Sequence, residues 1–315
     1  MKKLTILAVI LTVCSAKINI YIKTSDYLNK TEVKHTGRDI KLVTDEEVAL
    51  FNITHANLNR GIRIEMGKIP DDIYLRDPTP FQDLFKEFEW PQVERVLSIK
   101  SAKIEEFMKD NIVIKTHEHI NNTSLSIQSK TDMMEMVENT VLSIWSTNGL
   151  PKDLINYGVN IDFGNGNWSF NDTWRDETLK SVQLPFGASK GLVHLKSGQT
   201  IVSKLTGNKI VMLIEVEYIA KLVGNIIADY DRLYGKYHFY SPALLNIMRA
   251  ANLKNEVVTT EFLEVRFYTN PKVEVFDTDT GEELNVELKK LCCRRPQFGD
   301  SGHHHGVVDD PHNSE

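Results

Sequence analysis

The chain has 315 residues, enough for one large domain or two ordinary ones, and a formal charge of −6. Its lysines and arginines are scattered without a basic stripe, which argues against nucleic acid as a partner. Three cysteines are too few for a disulfide scaffold, so a hydrophobic core must hold the fold.

Met1-Lys2-Lys3, an apolar run from Leu4 to Val13 and the small residues Cys14-Ser15-Ala16 have the pattern of a secretory signal peptide over residues 1–16. The run is too short to cross a bilayer, which takes about twenty apolar residues. Cleavage is expected after Ala16, giving a mature start at Lys17 and a secreted, extracellular protein. A bacterial lipoprotein signal at Leu11–Cys14 is the weaker alternative, because Val13 is bulky where a small residue is wanted.

Ile18, Ile20 and Ile22 alternate with polar residues as in a half-buried strand. Thr44-Asp45-Glu46-Glu47 has capping-box spacing and predicts a short helix. Ile62 to Met66 alternates and predicts another strand. Phe81, Leu84, Phe85 and Phe88 recur at helical spacing before Trp90-Pro91, and a second helix is expected over 93–108. Residues 17–110 therefore form an expected small N-terminal α+β domain.

From Ile112 the pattern turns to strands, and residues 111–290 are expected to form an elongated antiparallel β-domain. Leu125 and Ile127 mark a thin amphipathic strand, Val182 and Leu184 one that runs into Pro185, and Val193 and Leu195 one before the turn at Lys196–Gln199. The clearest strand starts at Lys209, with Ile210, Met212, Ile214, Val216, Tyr218, Ala220 and Leu222 on one face. Strict alternation over that length exceeds the ordinary strand of about six residues. Ser241-Pro242 opens a helix with the stripe Leu244, Leu245, Ile247, Met248 and Ala251. A further long strand carries Val257, Leu263, Val265 and Phe267, and Val273 and Val275 turn through Asp277–Gly281 into Leu284, Val286 and Leu288. Residues 291–315, polar and rich in Gly, Asp and His, read as a disordered tail. The fold class is mainly β (α+β).

Six sequons are candidate glycosylation sites, at Asn29, Asn52, Asn121, Asn122, Asn167 and Asn171. Cys292 and Cys293 are disulfide candidates, either with each other in a strained vicinal bond or with a second chain. Arg294-Arg295 is a weak candidate for processing. His117-Glu118-His119 places two histidines on one face of a strand with no third ligand, and the histidines of the tail have no fold around them, so no metal is expected. No nucleophile elbow, phosphate loop or dinucleotide fingerprint occurs. We expect no catalytic residues, no cofactor and no enzymatic activity.

A soluble protein reaches a bilayer with strands when an amphipathic hairpin is released into a shared barrel, where every backbone group is paired. The candidate membrane-insertion hairpin lies between Thr123 and Asn165, with Leu125, Ile127, Met134, Met136, Val141, Ile144 and Trp145. Its alternation is interrupted at Met133-Met134 and at Val137.

The stretch from Asn171 through Trp174 to Pro185, followed by a charged strand and by Lys209 to Leu222-Val223-Gly224, resembles the aerolysin-like β-pore-forming superfamily in its epsilon-toxin and mosquitocidal-toxin branch. Gly224 to Tyr230, with Tyr234-Gly235-Lys236-Tyr237-His238-Phe239-Tyr240 and the helix to Met248, is similar to spherulin-related secreted proteins of slime moulds and insects. Their Gly-His-His-Phe-Trp stands here as Gly235 to Tyr240. The resemblance implies a secreted protein that acts on membranes, forms a homo-oligomer when active, and meets a membrane, cell-surface receptor or glycan through its N-terminal part. A non-lytic extracellular binding or structural protein of the same fold is the alternative.

Overall fold

The computed structural model describes residues 18–151, 155, 157–171 and 179–284. The expected signal peptide, Trp174, Cys292, Cys293, Arg294, Arg295 and the expected tail lie outside them.

In chain order the elements are β1 (Ile18–Lys23), a 3-10 turn (Leu28–Lys30), β2 (Glu32–Thr36), β3 (Asp39–Leu42), α1 (Asp45–Leu50), α2 (His55–Met66), β4 (Asp72–Tyr74), α3 (Leu84–Glu87) and β5 (Glu94–Ile120). There follow β6 (Ile127–Lys130), β7 (Met133–Trp145), β8 (Tyr157–Asp162), β9 (Asn167–Asn171), β10 (Leu179–Ala188), β11 (Leu192–Leu195) and β12 (Thr200–Val223). The last are β13 (Ile227–Tyr234), β14 (Tyr237–Tyr240), α4 (Leu244–Ala250) and β15 (Val257–Asp277). The protein is mainly β, as its alternating segments require.

The central sheet has the order β10-β7-β15-β12-β5-β3 and is built on the three longest strands. β12 runs antiparallel to both β5 and β15 along nearly its whole length. The seven residues of its inward face from Ile210 to Leu222 are all buried, and the burial of Ile210, Met212, Ile214, Val216 and Leu222 contributes roughly 1.5–3 kcal/mol each. The strand begins nine residues before the expected Lys209, at Thr200. β10 continues through Pro185, because it is an edge strand, where a missing N–H is tolerated. A four-stranded sheet, β2-β1-β8-β9, includes a parallel pair, β1 with β8.

Two expected elements change type. Ile62 to Met66 belongs to helix α2, whose N-cap Thr54 accepts the Asn57 N–H and whose buried residues Leu58, Gly61 and Ile62 fall on one helical face. Five residues of apparent alternation were too short a window against that cap. The segment expected to be helical over 93–108 is strand β5. Lys100 and Glu105 are extra residues where its register against β12 shifts, and each bulge reverses the inward phase. The apolar positions thus fall at mixed spacings that imitate a helix.

The boundary expected at residues 110–111 falls inside β5. The N-terminal segment does not have its own core: one cluster runs from Ile18, Phe51 and Ile62 through β12 to Ile247 and Phe267. Helix α2 lies so close to α4 that a Cβ on Gly61 would stand 2.3 Å from the Ile247 carbonyl oxygen. Arg95 is buried and holds Glu47 (2.7 Å) and Asp39 (2.8 Å), while Glu47 also closes the capping box of α1 with Thr44.

Candidate membrane-acting surfaces

The structure separates the seven residues of the hairpin candidate. Leu125 lies in the loop after β5 and is 73% exposed. Ile127 lies in β6, which pairs with β11 alone in a two-stranded ribbon. The other five belong to β7, between β10 and β15 in the central sheet. β6 and β7 are not partners, so the seven do not make one hairpin in this form. Buried Thr131, bonded through both N–H and Oγ1 to the Gly191 carbonyl, sits between the two strands. Met133 turns into a second, smaller core while Met134 faces outward, which explains the interrupted alternation.

The outward face of β7 carries Met134 (68% exposed), Met136 and Ile144, and β10 adds exposed Leu179 opposite Leu142. Val141 is fully buried in the main core. Trp145 is half-buried and stacks on Tyr218 at 5.5 Å between centroids.

That stack belongs to a buried polar box which the sequence reading did not single out. Glu261 of β15 is fully buried, and its carboxylate accepts from Ser143 Oγ of β7 (2.6 Å), Tyr157 Oη of β8 and Tyr218 Oη of β12 (2.7 Å). Burial pushes the Glu261 carboxyl up to about 7 although three donors favour its charged form. The Tyr157 and Tyr218 hydroxyls are driven upward by burial and then by Glu261. Four strands meet on one carboxylate.

The sequons differ in geometry. Asn29, Asn52, Asn122 and Asn167 are exposed. Asn121 is buried, and its Nδ2 donates to the carbonyls of Leu125, Leu195 and Lys196, so the nitrogen that would carry a glycan is spent on holding the loop. Asn121 is a structural strut, and Asn122 is the reachable member of that pair. His117 and His119 pack edge to face at 4.5 Å. His119 bonds to Ser129 and Ser203, and burial and then His117 hold it below the usual histidine range. Among the described residues no three His, Cys, Asp or Glu side chains are grouped to hold a metal.

At the other end of β12 the chain builds an aromatic pocket. β13 pairs with β14 and with β4, which brings residues 237–241 beside the segment ending at Trp90. A cavity of about 570 Å³ is lined by Phe88, Trp90, Tyr237, His238, Phe239 and Tyr240, with Lys236 beside them. Phe88 stacks on Trp90 (4.7 Å), and Phe81 meets Phe239 edge to face (5.4 Å). Phe81, Phe88, Leu233 and Tyr237 are exposed. The Tyr240 hydroxyl donates to the Tyr234 carbonyl, and His238 Nδ1 donates to the Tyr230 carbonyl at 2.7 Å. In the sequence the two halves of this pocket lie far apart, at 88–90 and 233–241.

No family model matches the chain. U-megalopygitoxin(8)-Mo12 of Megalopyge opercularis is 26% identical over 255 residues, covering 80% of this chain and 89% of the relative. U-megalopygitoxin(8)-Mo15 of the same species is 23% identical over 296 residues, covering 90% and 92%. Among solved structures, parasporin-2, a Bacillus thuringiensis toxin that recognizes cancer cells, matches with a TM-score of 0.52 and 12% identity over 76% of this chain and 97% of its own. The fold is of the kind that the aerolysin-like resemblance implies, and the spherulin-related part stays an expectation. The chain is similar in sequence to U-megalopygitoxin(8) proteins, and its antiparallel architecture is of the aerolysin-like toxin type.

Proposed function

We propose that this is a secreted, toxin-like protein that settles on a membrane, assembles with further copies of itself and inserts part of its sheet. The observation that carries this reading is the outward face of β7, where Met134 and Met136 are exposed beside a ribbon, β6–β11, joined by four register pairs. That ribbon is a two-stranded sheet of its own that rests on the smaller core beside Met133 and Val137, and exposed Leu125 stands just before it. The toxin-type fold and the similarity to the megalopygitoxins support the reading. Secretion rests on the signal pattern of residues 1–16. The exposed sequons and the pair Cys292-Cys293 suit the same extracellular setting.

The non-lytic alternative is favoured by a different observation. The inward half of β7, Val141 and Ser143, is locked to β15 by packing and by Glu261. A relative that never releases β7 would bind without lysis.

Dye release from lipid vesicles by mature protein, with and without mild trypsin, separates the two. Release that disappears in Leu125→Asp and Met134→Asp, together with detergent-resistant oligomers, is expected for insertion. A protein that stays monomeric and releases nothing under either condition is the non-lytic relative.

A further inference from the structure

We propose that the aromatic pocket between Trp90 and Tyr240 binds the phosphocholine headgroup of a bilayer lipid. The assignment rests on the membrane reading for its setting and on the pocket's own chemistry for its ligand. Aromatic rings at the wall of a cavity present negative faces, and such faces hold a quaternary ammonium that no hydrogen bond can satisfy. The cavity is lined by the rings of Phe88, Trp90, Tyr237, Phe239 and Tyr240 together with the His238 imidazole, and none of its lining residues is a carboxylate. A small hydrated cation such as a primary ammonium therefore finds no anion there, whereas a trimethylammonium group needs none.

Lys236 supplies the second half of the argument. It is an exposed cation on the lining and would repel a lone cation, but it complements the phosphate that follows the choline in a zwitterionic headgroup. The pocket is also prepared in advance. The Tyr240 hydroxyl and His238 Nδ1 are spent on internal carbonyls, which fixes both side chains before a ligand arrives. Finally, the rim is greasy where a headgroup would enter. Phe88, Leu233 and Tyr237 of the lining are exposed, as is Phe81 against Phe239, and of these Tyr237 is the amphipathic ring of the kind that settles at the headgroup level of a bilayer.

Calorimetric titration of the full chain with soluble phosphocholine tests the ligand without any membrane. Phosphocholine is expected to bind, phosphoethanolamine to bind about tenfold more weakly, and Tyr237→Ala and Lys236→Glu each to weaken phosphocholine by a similar factor at unchanged thermal midpoint. Both side chains are exposed, so neither variant should disturb folding. Flotation with phosphatidylcholine vesicles, against vesicles of phosphatidylethanolamine and phosphatidylglycerol, then asks whether the bilayer headgroup is taken. Equal binding of the two soluble headgroups, or none, overturns the assignment. So does flotation indifferent to choline, even if dye release shows that the membrane reading holds. Phosphocholine bound with the expected selectivity, and phosphatidylcholine vesicles floated without leakage, would keep the pocket and remove insertion.

Discussion

Tyr218 Oη donates a hydrogen bond of 2.7 Å to Glu261 Oε2 in the interior of the central sheet, and neither residue is exposed to water. Val216 of β12 is the register partner of Glu261, so the tyrosine reaches diagonally along the neighbouring strand. Ser143 and Tyr157 complete the box from β7 and β8.

This box makes stability depend on pH. Glu261 holds its proton up to about 7 when folded and releases it near its ordinary 4.5 when unfolded. Between those values the folded state binds more protons, so stability falls as pH rises from about 4.5 through about 7. The loss from this group is about 3 kcal/mol, on the scale of about 1.4 kcal/mol per pH unit. Glu261→Gln should flatten that slope. Thermal midpoints of both proteins between pH 5 and 8 check it, and equal slopes would mean that the box does not titrate in this range. Asp229, raised by burial and then by Asp72, adds in the same direction. Asp26, lowered by Lys109, Thr269 and Asn208 against an opposing burial effect, acts with the opposite sign at more acidic pH.

Arg95→Ala leaves Glu47 and Asp39 without their buried cation. Removing one partner of a buried pair costs about 3–5 kcal/mol. Urea unfolding should show a loss of that order, whereas breaking the exposed pair Lys34–Glu32 should leave the urea midpoint essentially where it was.

Gly61→Ala presses a methyl group into the backbone of α4, with Ile247 O 2.3 Å from the new carbon. The helices must part, at a cost of about 1–3 kcal/mol. A lowered urea midpoint with an unchanged slope is expected.

Two aspartates on one strand separate role from packing. Val141→Asp buries a charge in the main core and should abolish folding, seen as loss of the near-ultraviolet signal. Met134→Asp faces water and should leave the thermal midpoint within about 1 kcal/mol equivalent of the parent while ending vesicle leakage. Leakage undiminished in Met134→Asp would remove the outward face of β7 from the mechanism.

How far the sequence could be read depended on whether periodicity survived the fold. β12 was legible because its alternation is unbroken from Ile210 to Leu222, and α4 because of its apolar stripe, although the N-cap is Ala243 and the expected cap Ser241 and first-turn Pro242 both precede it. β5 was misread because its bulges shift the phase of its own pattern. The parallel pairing of β1 with β8 joins residues nearly 140 positions apart, and no local pattern reports it. Glu261 could have been found. It stands in line with Leu263, Val265 and Phe267, at a position where the alternation demands an apolar residue. The aromatic pocket had both halves in view, but only the pairing of β13 with β4 and β14 brings them together.

The bulges of β5 have a further result. β3 covers this strand at Glu94–Leu97 alone, and from Ser98 to Ile120 no described strand is bonded to its far side. A straight edge of that length would be a ready template for any passing strand, a second copy included. Extra residues at Lys100, Glu105 and Ile114 bend it, and charges such as Lys103, Glu106 and Asp110 line it. This long border, open among the described strands, is thereby made a poor template for a second copy of the chain.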